Sequence, residues 1–485
     1  MKKLTLIAGI AALAVSAQAS AQTAQDTLNA KYDRALAAGY KSLMLCSAIG
    51  NAEKNGAKRT PESVEKWELT GIQAPLNDIV GELEYEIVRR PSGQIAHVAV
   101  EWDDTMPPRI AAYFSESGCS ALPIGAPEKW SDPTRAIPIE PKDNDEAEAI
   151  EDPDEMFGPQ APNELFQRVD PSSLQGFLNV ISGAAVEKYG NRTRTTAALV
   201  MKEGKALTEF YAPDFDESTP QRTWSVAKSI AATFVGVSVL SGETNVNDPV
   251  GMNYWRQGGA SDPRNALTID HMLRMASGRY SSTAGNRTDA LYWGGSTVNE
   301  TATNWPLIEK PGTVFRYANN DTLMAVKAID TYLSYYGTEE LFAKLGMNHT
   351  VAETDIRGDH VLSSQVWSTA RDLAKLGQLY LDNGVINKGQ ENEERILPEN
   401  WREYVASASG PQPEGRPLGY GAGFWLMNNN DGIPADTFAA LGNRGQYVVI
   451  VPSRNVVIVR RGEDPVGARF DIIAFTRDVL AAMGE

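Results

Sequence analysis

A serine and a lysine lie three positions apart at Ser225 and Lys228, within the stretch TWSVAKSI. In a helix this spacing puts both side chains on one face, one turn apart. The apolar residues around the pair, in SVAKSIAATFVGVSVL, predict a helix that is buried on several sides. Burial disfavours the ammonium form of lysine, and a neutral lysine can accept a proton from a neighbouring hydroxyl. The pair therefore predicts a serine nucleophile activated by a lysine base.

A second Ser-x-x-Lys pattern, Ser63 to Lys66, shows that the spacing alone is not decisive. It lies in RTPESVEKWE, after a proline and among charged residues, which is typical of a solvated helix start. The contrast in predicted burial favours Ser225 as the nucleophile.

A Ser-His-Asp triad is the competing form of serine chemistry. The sequence has no Gly-x-Ser-x-Gly elbow, and its histidines are His97, His271, His349 and His360. His271 lies in LTIDHMLRMASG, a predicted helix, where a capping or helix-face role accounts for it. A histidine-free Ser-Lys device fits the sequence better.

The elements that must position this pair have strand-like patterns at both ends of a long segment and helical patterns between them. TAALVMKEGKALTEFYA and, near the end of the chain, QYVVIVPSRNVVIVRRG each predict two strands joined by a turn. Helical periodicity marks SSLQGFLNVISGAAVEKY, most of the chain from Ser225 to Leu345, and Phe470 to Met483. We expect an α+β fold, in which the terminal segments share one antiparallel sheet flanked by helices, with a helical lobe between them.

An N-terminal unit precedes this segment. Alternation in GELEYEIVRR and QIAHVAVEW, around a Pro-Ser-Gly turn, predicts a small β-rich accessory domain. The acidic, proline-bracketed IEPKDNDEAEAIEDPDE predicts an extended linker. The predicted limits are 1–21 for an export signal, 22–137 for the accessory domain, 138–163 for the linker and 164–485 for the α+β domain.

The first residues, MKKLTLIAGIAALAVSAQASAQ, have the charged, apolar and small-residue regions of a cleavable export signal. The apolar run is shorter than a membrane span, and no later run is long enough to be one. We therefore expect a periplasmic or secreted protein. In that compartment the two cysteines, Cys46 and Cys119, are expected to form a disulfide, with two unpaired thiols as the alternative.

Charge narrows the range of partners. The net charge of −17 on 485 residues argues against binding to nucleic acid or to an anionic membrane surface. Neither cysteine has a second cysteine or a histidine at metal-ligand spacing, so no metal site is expected. We expect a small-molecule partner, and the sequence says nothing about oligomeric state.

Five motifs follow one another along the chain: Ser225-Val226-Ala227-Lys228, LTIDHMLRMASG, KPGTVFRYANND, STARDLAKLGQLYLDNG and LGNRGQYVVIVP. Their order resembles that of class C β-lactamase-related serine hydrolases, and most closely their branch of 6-aminohexanoate-dimer hydrolases and β-lactamase-like esterases. The resemblance covers roughly residues 163–485 and implies a β-lactamase/transpeptidase-like fold. It also implies an acyl-enzyme mechanism without a cofactor.

The resemblance assigns roles to individual residues. It implies that Ser225 is the acylated nucleophile, Lys228 its base and Tyr317 a partner in the proton relay. Asn319 would bind an acyl-side amide of the substrate. The backbone N–H groups of Ser225 and Gln446 would form the oxyanion hole, which stabilises the charge that develops on the attacked carbonyl.

The third motif departs from the β-lactamase pattern. Where those enzymes and the D-Ala-D-Ala peptidases carry Lys-Thr-Gly, this chain has Asn443, Arg444 and Gly445, which the resemblance places at the bound substrate. Gly445 would let the strand edge approach the substrate closely, with a strand-entry turn glycine as the alternative role. A cation that pairs with a β-lactam carboxylate is missing at the first position, and Arg444 is a possible substitute. Esters and small linear amides therefore rank above β-lactams and peptidoglycan peptides as substrates.

The walls of the pocket are less clearly marked. The stretch RYSSTAGNRTDALYWGG offers Tyr280, Tyr292 and Trp293, with core packing as the alternative role for each. A non-enzymatic cell-wall ligand-binding protein is the competing function. It would have no reason to keep a buried lysine beside a serine and a tyrosine, because an unpaired buried lysine is destabilising.

Overall fold

The computed structural model describes residues 2–131, 171–252, 255, 262–280 and 289–483, with side chains described from residue 22 onwards except at 131 and 171–175. The predicted acidic linker lies outside the described residues. Within the described ranges, no helix combines the length and apolar character needed to cross a bilayer.

The N-terminal unit, described over residues 2–131, combines a long helix with a four-stranded antiparallel sheet. Its elements are α1 (Lys2–Lys54), α2 (Pro61–Trp67), α3 (Leu76–Ile79), β1 (Tyr85–Arg89), β2 (Ile95–Val100), β3 (Arg109–Phe114) and β4 (Gly118–Ala121), and the strands pair in sequence order. The two strands predicted around the Pro-Ser-Gly turn are present as β1 and β2. The sequence analysis did not predict α1, which packs on β2, β3 and β4.

The disulfide between Cys46 and Cys119 is present and joins α1 to β4. Both cysteines are fully buried. The predicted pairing is confirmed.

The rest of the chain is organised around a seven-stranded antiparallel sheet that mixes strands from both ends of the segment. The strands are β5 (Thr195–Lys202), β6 (Lys205–Tyr211), β12 (Gly419–Tyr420), β13 (Trp425–Leu426), β14 (Phe438–Gly442), β15 (Gln446–Val451) and β16 (Val456–Gly462), in the spatial order β12-β13-β14-β15-β16-β5-β6. The prediction that the terminal segments share one sheet is confirmed by the pairing of β16 with β5.

Alternating residues of the central strands are buried on both faces of this sheet. Val448 and Ile450 of β15 join the main core, whereas Val449 and Val451 join a second core on the opposite face. The second core is closed by α4 (Pro171–Ala185) and α13 (Ile472–Ala482), which pack against each other. Both faces being covered explains why the strands read as continuous β-branched runs.

The helical lobe covers the main core. Its helices are α5 (Ala227–Leu240), α6 (Ile269–Leu273), α7 (Asp289–Tyr292), α8 (Val298–Ala302), α9 (Asn319–Ala328), α10 (Asp330–Lys344), α11 (Ala370–Leu381) and α12 (Trp401–Val405). Helix α11 packs on β15, β16 and β5, so helices flank the sheet on both faces as predicted. Two small sheets accompany the lobe, built from β7 (Gln221–Arg222), β8 (Val351–Ala352) and β9 (Val366–Ser368), and from β10 (Val385–Ile386) and β11 (Glu394–Arg395).

One apolar core runs without interruption from the N-terminal unit into the lobe and the main sheet. Buried polar contacts cross the same boundary. Arg109 Nη2 donates to the Trp293 carbonyl at 2.6 Å, and Asn51 Nδ2 donates to Glu353 Oε1 at 3.2 Å. The N-terminal unit is therefore packed into the body of the protein.

Candidate active site

Lys228 lies in the first turn of α5 with its ammonium nitrogen surrounded by three oxygen atoms. Its Nζ is 3.2 Å from Ser225 Oγ, 2.5 Å from Asn319 Oδ1 and 2.7 Å from the Ser363 carbonyl oxygen. The Asn319 and Ser363 oxygens can accept both N–H groups of a neutral amine. In that form the nitrogen lone pair is left for the proton of the Ser225 hydroxyl.

Burial tunes this lysine for proton transfer. Its side chain is 1% exposed, and desolvation lowers the pKa of Lys228 from 10.5 to about 7. A large fraction of Lys228 is therefore neutral near neutral pH, which is the range in which a general base is most useful.

Ser225 lies in a tight turn between β7 and α5, in the 3₁₀ segment Trp224–Val226. The Thr223 N–H donates to the Val366 carbonyl at 2.8 Å, which ties the turn to β9. Trp224 has a φ of 49°, a left-handed conformation that is costly for an aromatic residue. The serine side chain is only partly buried, so the turn presents it next to the buried lysine.

Tyr317 lies just before α9, close to both Lys228 and Ser225. The Lys228 Nζ is 5.1 Å from the centre of the Tyr317 ring. Desolvation raises the pKa of Tyr317 well above its ordinary value of 10.0, and hydrogen bonds to the Ser225 and Trp425 side chains, together with the charge of Arg416, oppose this rise. The phenol therefore stays protonated at a pH where Lys228 is largely neutral, so the two groups can divide acid and base roles between them.

The end of β14 lies against the turn that carries Ser225. Gly442 pairs with Gln446 at the start of β15, and a Cβ added to Gly442 would lie 2.4 Å from the Thr223 carbonyl oxygen and 3.2 Å from the Ser225 nitrogen. Only glycine fits at this close approach. The Gly442 end of β14 therefore lies against the backbone of Thr223 and Ser225.

A family model described as Beta-lactamase matches residues 183–482, which is more than half of the chain. The chain belongs to the β-lactamase family.

Three known proteins are similar to this chain. The 6-aminohexanoate-dimer hydrolase of Paenarthrobacter ureafaciens is 25% identical over 307 residues, which cover 58% of this chain and 75% of that protein. The structure of a candidate β-lactamase from Bacteroides dorei is 18% identical, with a TM-score of 0.50 over 64% of this chain and 98% of the other. A candidate 6-aminohexanoate-dimer hydrolase from Bacillus anthracis is 21% identical, with a TM-score of 0.48 over 60% of this chain and 78% of the other. The protein is a hydrolase of the β-lactamase fold, related to 6-aminohexanoate-dimer hydrolase.

Arg444 does not take the place of the missing lysine. Its guanidinium is 6% exposed and donates to the carbonyls of Trp67, Thr70 and Gly71 at 2.8, 2.9 and 3.1 Å, while its Nε is 2.5 Å from Glu463 Oε2. The expectation that Arg444 binds substrate is corrected, because its donors are already bound to the N-terminal unit and to Glu463.

The neighbours of Arg444 have different surroundings. Asn443 is exposed at the turn. Gly445 has a φ of 84°, and a Cβ there would collide with the buried ion pair of Arg460 and Asp464. Packing within the protein therefore explains this glycine, whereas the sequence analysis attributed it to a close approach of substrate.

Asn319 and Gln446 also have internal partners. The side-chain oxygen of Asn319 faces Lys228 at 2.5 Å, so the residue is committed to the lysine before any substrate binds. The Gln446 side chain is fully buried, with its Oε1 accepting from Arg461 Nε at 2.6 Å. Gln446 can therefore act on a substrate only through its backbone.

The three aromatic residues expected in the pocket wall differ in position. Tyr280 is 44% exposed and packs near Trp305, and the sequence between it and Asp289 lies outside the described residues. Tyr292 is buried, with its hydroxyl 2.6 Å from Ser363 Oγ, directly behind the Ser363 carbonyl that binds Lys228. Trp293 is 1% exposed and packs against Tyr40, which corrects its assignment to the pocket wall.

The competing motifs have structural roles. Ser63 lies at the start of α2 as predicted, but it is buried and accepts from Arg59 Nε at 2.8 Å, which corrects its predicted solvation. Lys66 pairs with Asp214 at 2.8 Å. His271 forms a capping box with Thr268, which confirms the capping role.

Several residues near the site were missed from the sequence. The Ser363 carbonyl binds Lys228, Trp425 contacts Tyr317 with ring centres 5.4 Å apart, and the Arg416 guanidinium lies 5.7 Å from the centre of the Trp425 ring. A carbonyl contact leaves no signature in the sequence. The glycine-rich segment GYGAGFW before Leu426 was the available signal for Trp425.

Proposed function

We propose that the protein is an exported serine hydrolase that cleaves carboxylic esters or small linear amides through an acyl-enzyme on Ser225. The observation that carries this proposal is the 3.2 Å contact between Ser225 Oγ and a fully buried Lys228, whose pKa desolvation lowers to about 7. A lysine with these properties has the reactivity of a general base.

In the first half-reaction Ser225 Oγ attacks the substrate carbonyl and its proton passes to Lys228 Nζ. The bond between the carbonyl carbon and the leaving alcohol or amine then breaks. Tyr317 donates its proton to the leaving group and is reprotonated from Lys228. In the second half-reaction a water molecule gives a proton to the same pair and attacks the ester carbonyl on Ser225. The bond from that carbonyl carbon to Ser225 Oγ breaks, the carboxylic acid is released, and the pair returns the proton to Ser225 Oγ.

The negative charge on the carbonyl oxygen is stabilised by the N–H groups of Ser225 and Gln446. Two features support this assignment: the nucleophile turn touches Gly442, and Gly442 pairs with Gln446. Removing one donor of such a site typically costs about 10²–10³-fold in kcat.

Esters and linear amides are favoured over β-lactams because the cation that pairs with a β-lactam carboxylate is missing at Asn443 and is not supplied by Arg444. The relatedness to a 6-aminohexanoate-dimer hydrolase supports a linear amide. No cofactor is required by these steps.

The test is hydrolysis by the wild type and Ser225→Ala of a short-chain p-nitrophenyl ester, a 6-aminohexanoate dimer and a chromogenic cephalosporin. We expect turnover of the ester or the dimer to fall by about 10³-fold or more in Ser225→Ala. Ser63→Ala, at the other Ser-x-x-Lys pattern, is the matched control and should retain activity. Undiminished turnover by Ser225→Ala would refute the mechanism, and preference for the cephalosporin would refute the substrate class. Slow stoichiometric acylation without turnover would favour a ligand-binding protein.

Export rests on the first 21 residues and on the buried disulfide, since disulfides persist in oxidising compartments. N-terminal sequencing of protein recovered from the periplasm or the medium should begin near Gln22. Recovery of the protein only from the cytoplasm, starting at Met1, would contradict export.

A further inference from the structure

The N-terminal unit contacts the segment before Gln446 directly, through Arg444, and reaches the turn that carries Ser225 through Trp293. Ser225 lies in a strained turn, and Gln446 follows two residues with positive φ, Arg444 at 56° and Gly445 at 84°. Strained backbone persists only where the surroundings enforce it. Contacts with the surrounding protein must therefore hold the Ser225 turn and the turn before Gln446 in these conformations.

The nucleophile turn is supported through two tryptophans. The Trp224 ring lies 6.1 Å from the Trp293 ring, and Trp293 packs edge-on against Tyr40 of α1, with ring centres 4.6 Å apart. The Trp293 backbone is fixed as well, because Arg109 Nη2 binds its carbonyl at 2.6 Å. A Cβ at Gly39 would lie 2.0 Å from the same carbonyl oxygen, so α1 is in direct contact with it.

The guanidinium of Arg222 packs against both tryptophan rings. It lies 4.1 Å from the Trp224 ring centre and 4.7 Å from the Trp293 ring centre. Its Nη1 approaches Met44 Sδ of α1 at 4.0 Å. Trp224, the residue before Ser225, is therefore held by Trp293 and Arg222, and both of these residues contact α1.

The second donor is supported by a different part of the same unit. Arg444 spans from the turn before β15 to the loop after α2, where it binds the carbonyls of Trp67, Thr70 and Gly71. Three carbonyls and the Glu463 carboxylate occupy the fork of the guanidinium, which fixes its direction. The left-handed backbone at Arg444 is thereby fastened to the N-terminal unit.

Tyr40 links the two supports. Its ring packs on Trp293, and its hydroxyl donates to the Glu68 carbonyl at 3.1 Å, within the same loop that binds Arg444. Tyr40 is 1% exposed, and desolvation raises the pKa of its hydroxyl to about 12, so it remains a donor. Tyr40 therefore contacts both Trp293, which supports the Ser225 turn, and the loop after α2, which binds Arg444.

We propose that Tyr40 and Arg444 are positioning residues through which the N-terminal unit sets the spacing of the two oxyanion-hole donors, Ser225 N–H and Gln446 N–H. This inference rests on the proposed function, because it needs those two groups to bind the developing oxyanion. The N-terminal unit is then part of the catalytic apparatus, although it contributes no group that touches the substrate.

Two substitutions test this role with limited damage to the fold. Arg444→Lys keeps a positive charge beside Glu463 but cannot reach all three carbonyls. Tyr40→Leu keeps an apolar side chain but loses the edge contact with Trp293 and the bond to the Glu68 carbonyl. Arg90→Lys and Tyr113→Leu are matched controls, because Arg90 binds the Tyr113 carbonyl at 2.8 Å and both residues lie within the N-terminal unit.

Steady-state kinetics and inhibitor binding are measured at a temperature where circular dichroism shows every variant to be folded. Phenylboronic acid, which forms a tetrahedral adduct with a serine hydroxyl, reports on the oxyanion hole. We expect roughly 10- to 100-fold lower kcat in Arg444→Lys and Tyr40→Leu, less than the loss of a whole donor. KM should change little, boronate affinity should fall in parallel with kcat, and the pH profile should keep its shape because Lys228 is untouched. The controls should lower the melting temperature without lowering kcat.

Two results would overturn the proposal: a kcat within twofold of the wild type in both variants, or a rise in KM alone. Equal losses of kcat in the controls would also overturn it, since the effect would then be general destabilisation. Ser225→Ala, measured in parallel, distinguishes failure of the proposed function from failure of the positioning role. Activity that survives in Ser225→Ala counts against the proposed function, whereas serine-dependent activity that ignores Tyr40 and Arg444 counts against the positioning role alone.

Discussion

At the scale of single residues, the burial of Lys228 affects both its reactivity as a base and the stability of the folded protein. Its pKa of about 7, against an ordinary value of 10.5, comes from desolvation alone. The same burial that makes the neutral amine available makes the ammonium form destabilising. Both consequences depend on pH and can be measured separately.

The first prediction concerns the rate. With a substrate that does not ionise, such as p-nitrophenyl acetate, kcat/KM should rise with pH and level off, with an apparent pKa near 7, because the free enzyme reacts with neutral Lys228. Rates corrected for spontaneous hydrolysis between pH 5.5 and 9 would show this limb. A rate independent of pH across that range would argue against Lys228 as the base.

The second prediction concerns stability. In the unfolded chain Lys228 titrates near 10.5 and in the folded chain near 7, so between these values the unfolded state binds more protons and wild-type stability rises with pH. The destabilisation is fully present below pH 7 and is relieved by about 1.4 kcal/mol per pH unit above it. Lys228→Met should therefore gain most over the wild type at pH 6 and least at pH 9, as measured by chemical denaturation.

The control for this experiment is Lys66→Met, because the Lys66 side chain is 53% exposed. Its difference from the wild type should vary little between pH 6 and 9. A Lys228→Met difference that is equally constant would mean that the buried lysine does not lose its charge in this range.

The third prediction concerns Arg416, an exposed residue whose charge acts on Tyr317. In the proposed mechanism Tyr317 faces the leaving group, so Arg416 should favour leaving groups that end in a carboxylate. Arg416→Gln should lower kcat/KM by about fivefold, the value of an exposed ion pair near 1 kcal/mol, for an amide with a terminal carboxylate. The methylamide of the same compound is the matched substrate and should be cleaved equally well by both enzymes.

At the scale of elements, the sequence predicts the helices and strands whose apolar residues recur with a regular period. The hairpin of β15 and β16, the strands β5 and β6, the last helix and the buried helix α5 are all present as the patterns indicated. Helix α1 was missed because its segment ALAAGYKSLMLCSAIG, which is buried from Ala35 to Gly50, shows no single apolar stripe.

The periodicity of a segment does not predict which distant residues its side chains contact. Arg444 binds the Trp67 carbonyl across 377 positions of sequence, and the ring of Trp293 meets Tyr40 across 253 positions. Local pattern identified both residues as notable, but only the tertiary structure shows that they face the N-terminal unit. The Ser225–Lys228 pair was accessible because its spacing and its burial are both local properties.

The fourth prediction tests the contact between β14 and the nucleophile turn. Gly442→Ala would introduce a Cβ 2.4 Å from the Thr223 carbonyl oxygen, a separation that forces the two backbone segments apart. Because the Ser225 N–H lies in the displaced turn, kcat should fall by at least about tenfold. Gly81→Ala is the control, since no atom lies within 4 Å of its added Cβ. Normal activity in Gly442→Ala would show that the turn adjusts freely.

At the scale of the whole molecule, the N-terminal unit and the rest of the protein share one core, and buried polar contacts join them on several sides. Large chains often unfold in several steps because their domains have separate cores. A shared core predicts the opposite for the described part of this chain. Neither part can unfold without exposing apolar surface of the other.

The fifth prediction follows from this coupling and uses the disulfide as a probe. Cys46→Ala combined with Cys119→Ala opens a loop with ends 73 positions apart and should lower the free energy of unfolding by about 4 kcal/mol in the chain-entropy model. If the core is shared, calorimetry should show one transition for the oxidised wild type and one, at lower temperature, for the double variant. Dithiothreitol should lower the wild-type transition but leave the double variant unchanged. Two transitions, of which only one responds to loss of the disulfide, would show that the N-terminal unit unfolds by itself and would contradict the shared core.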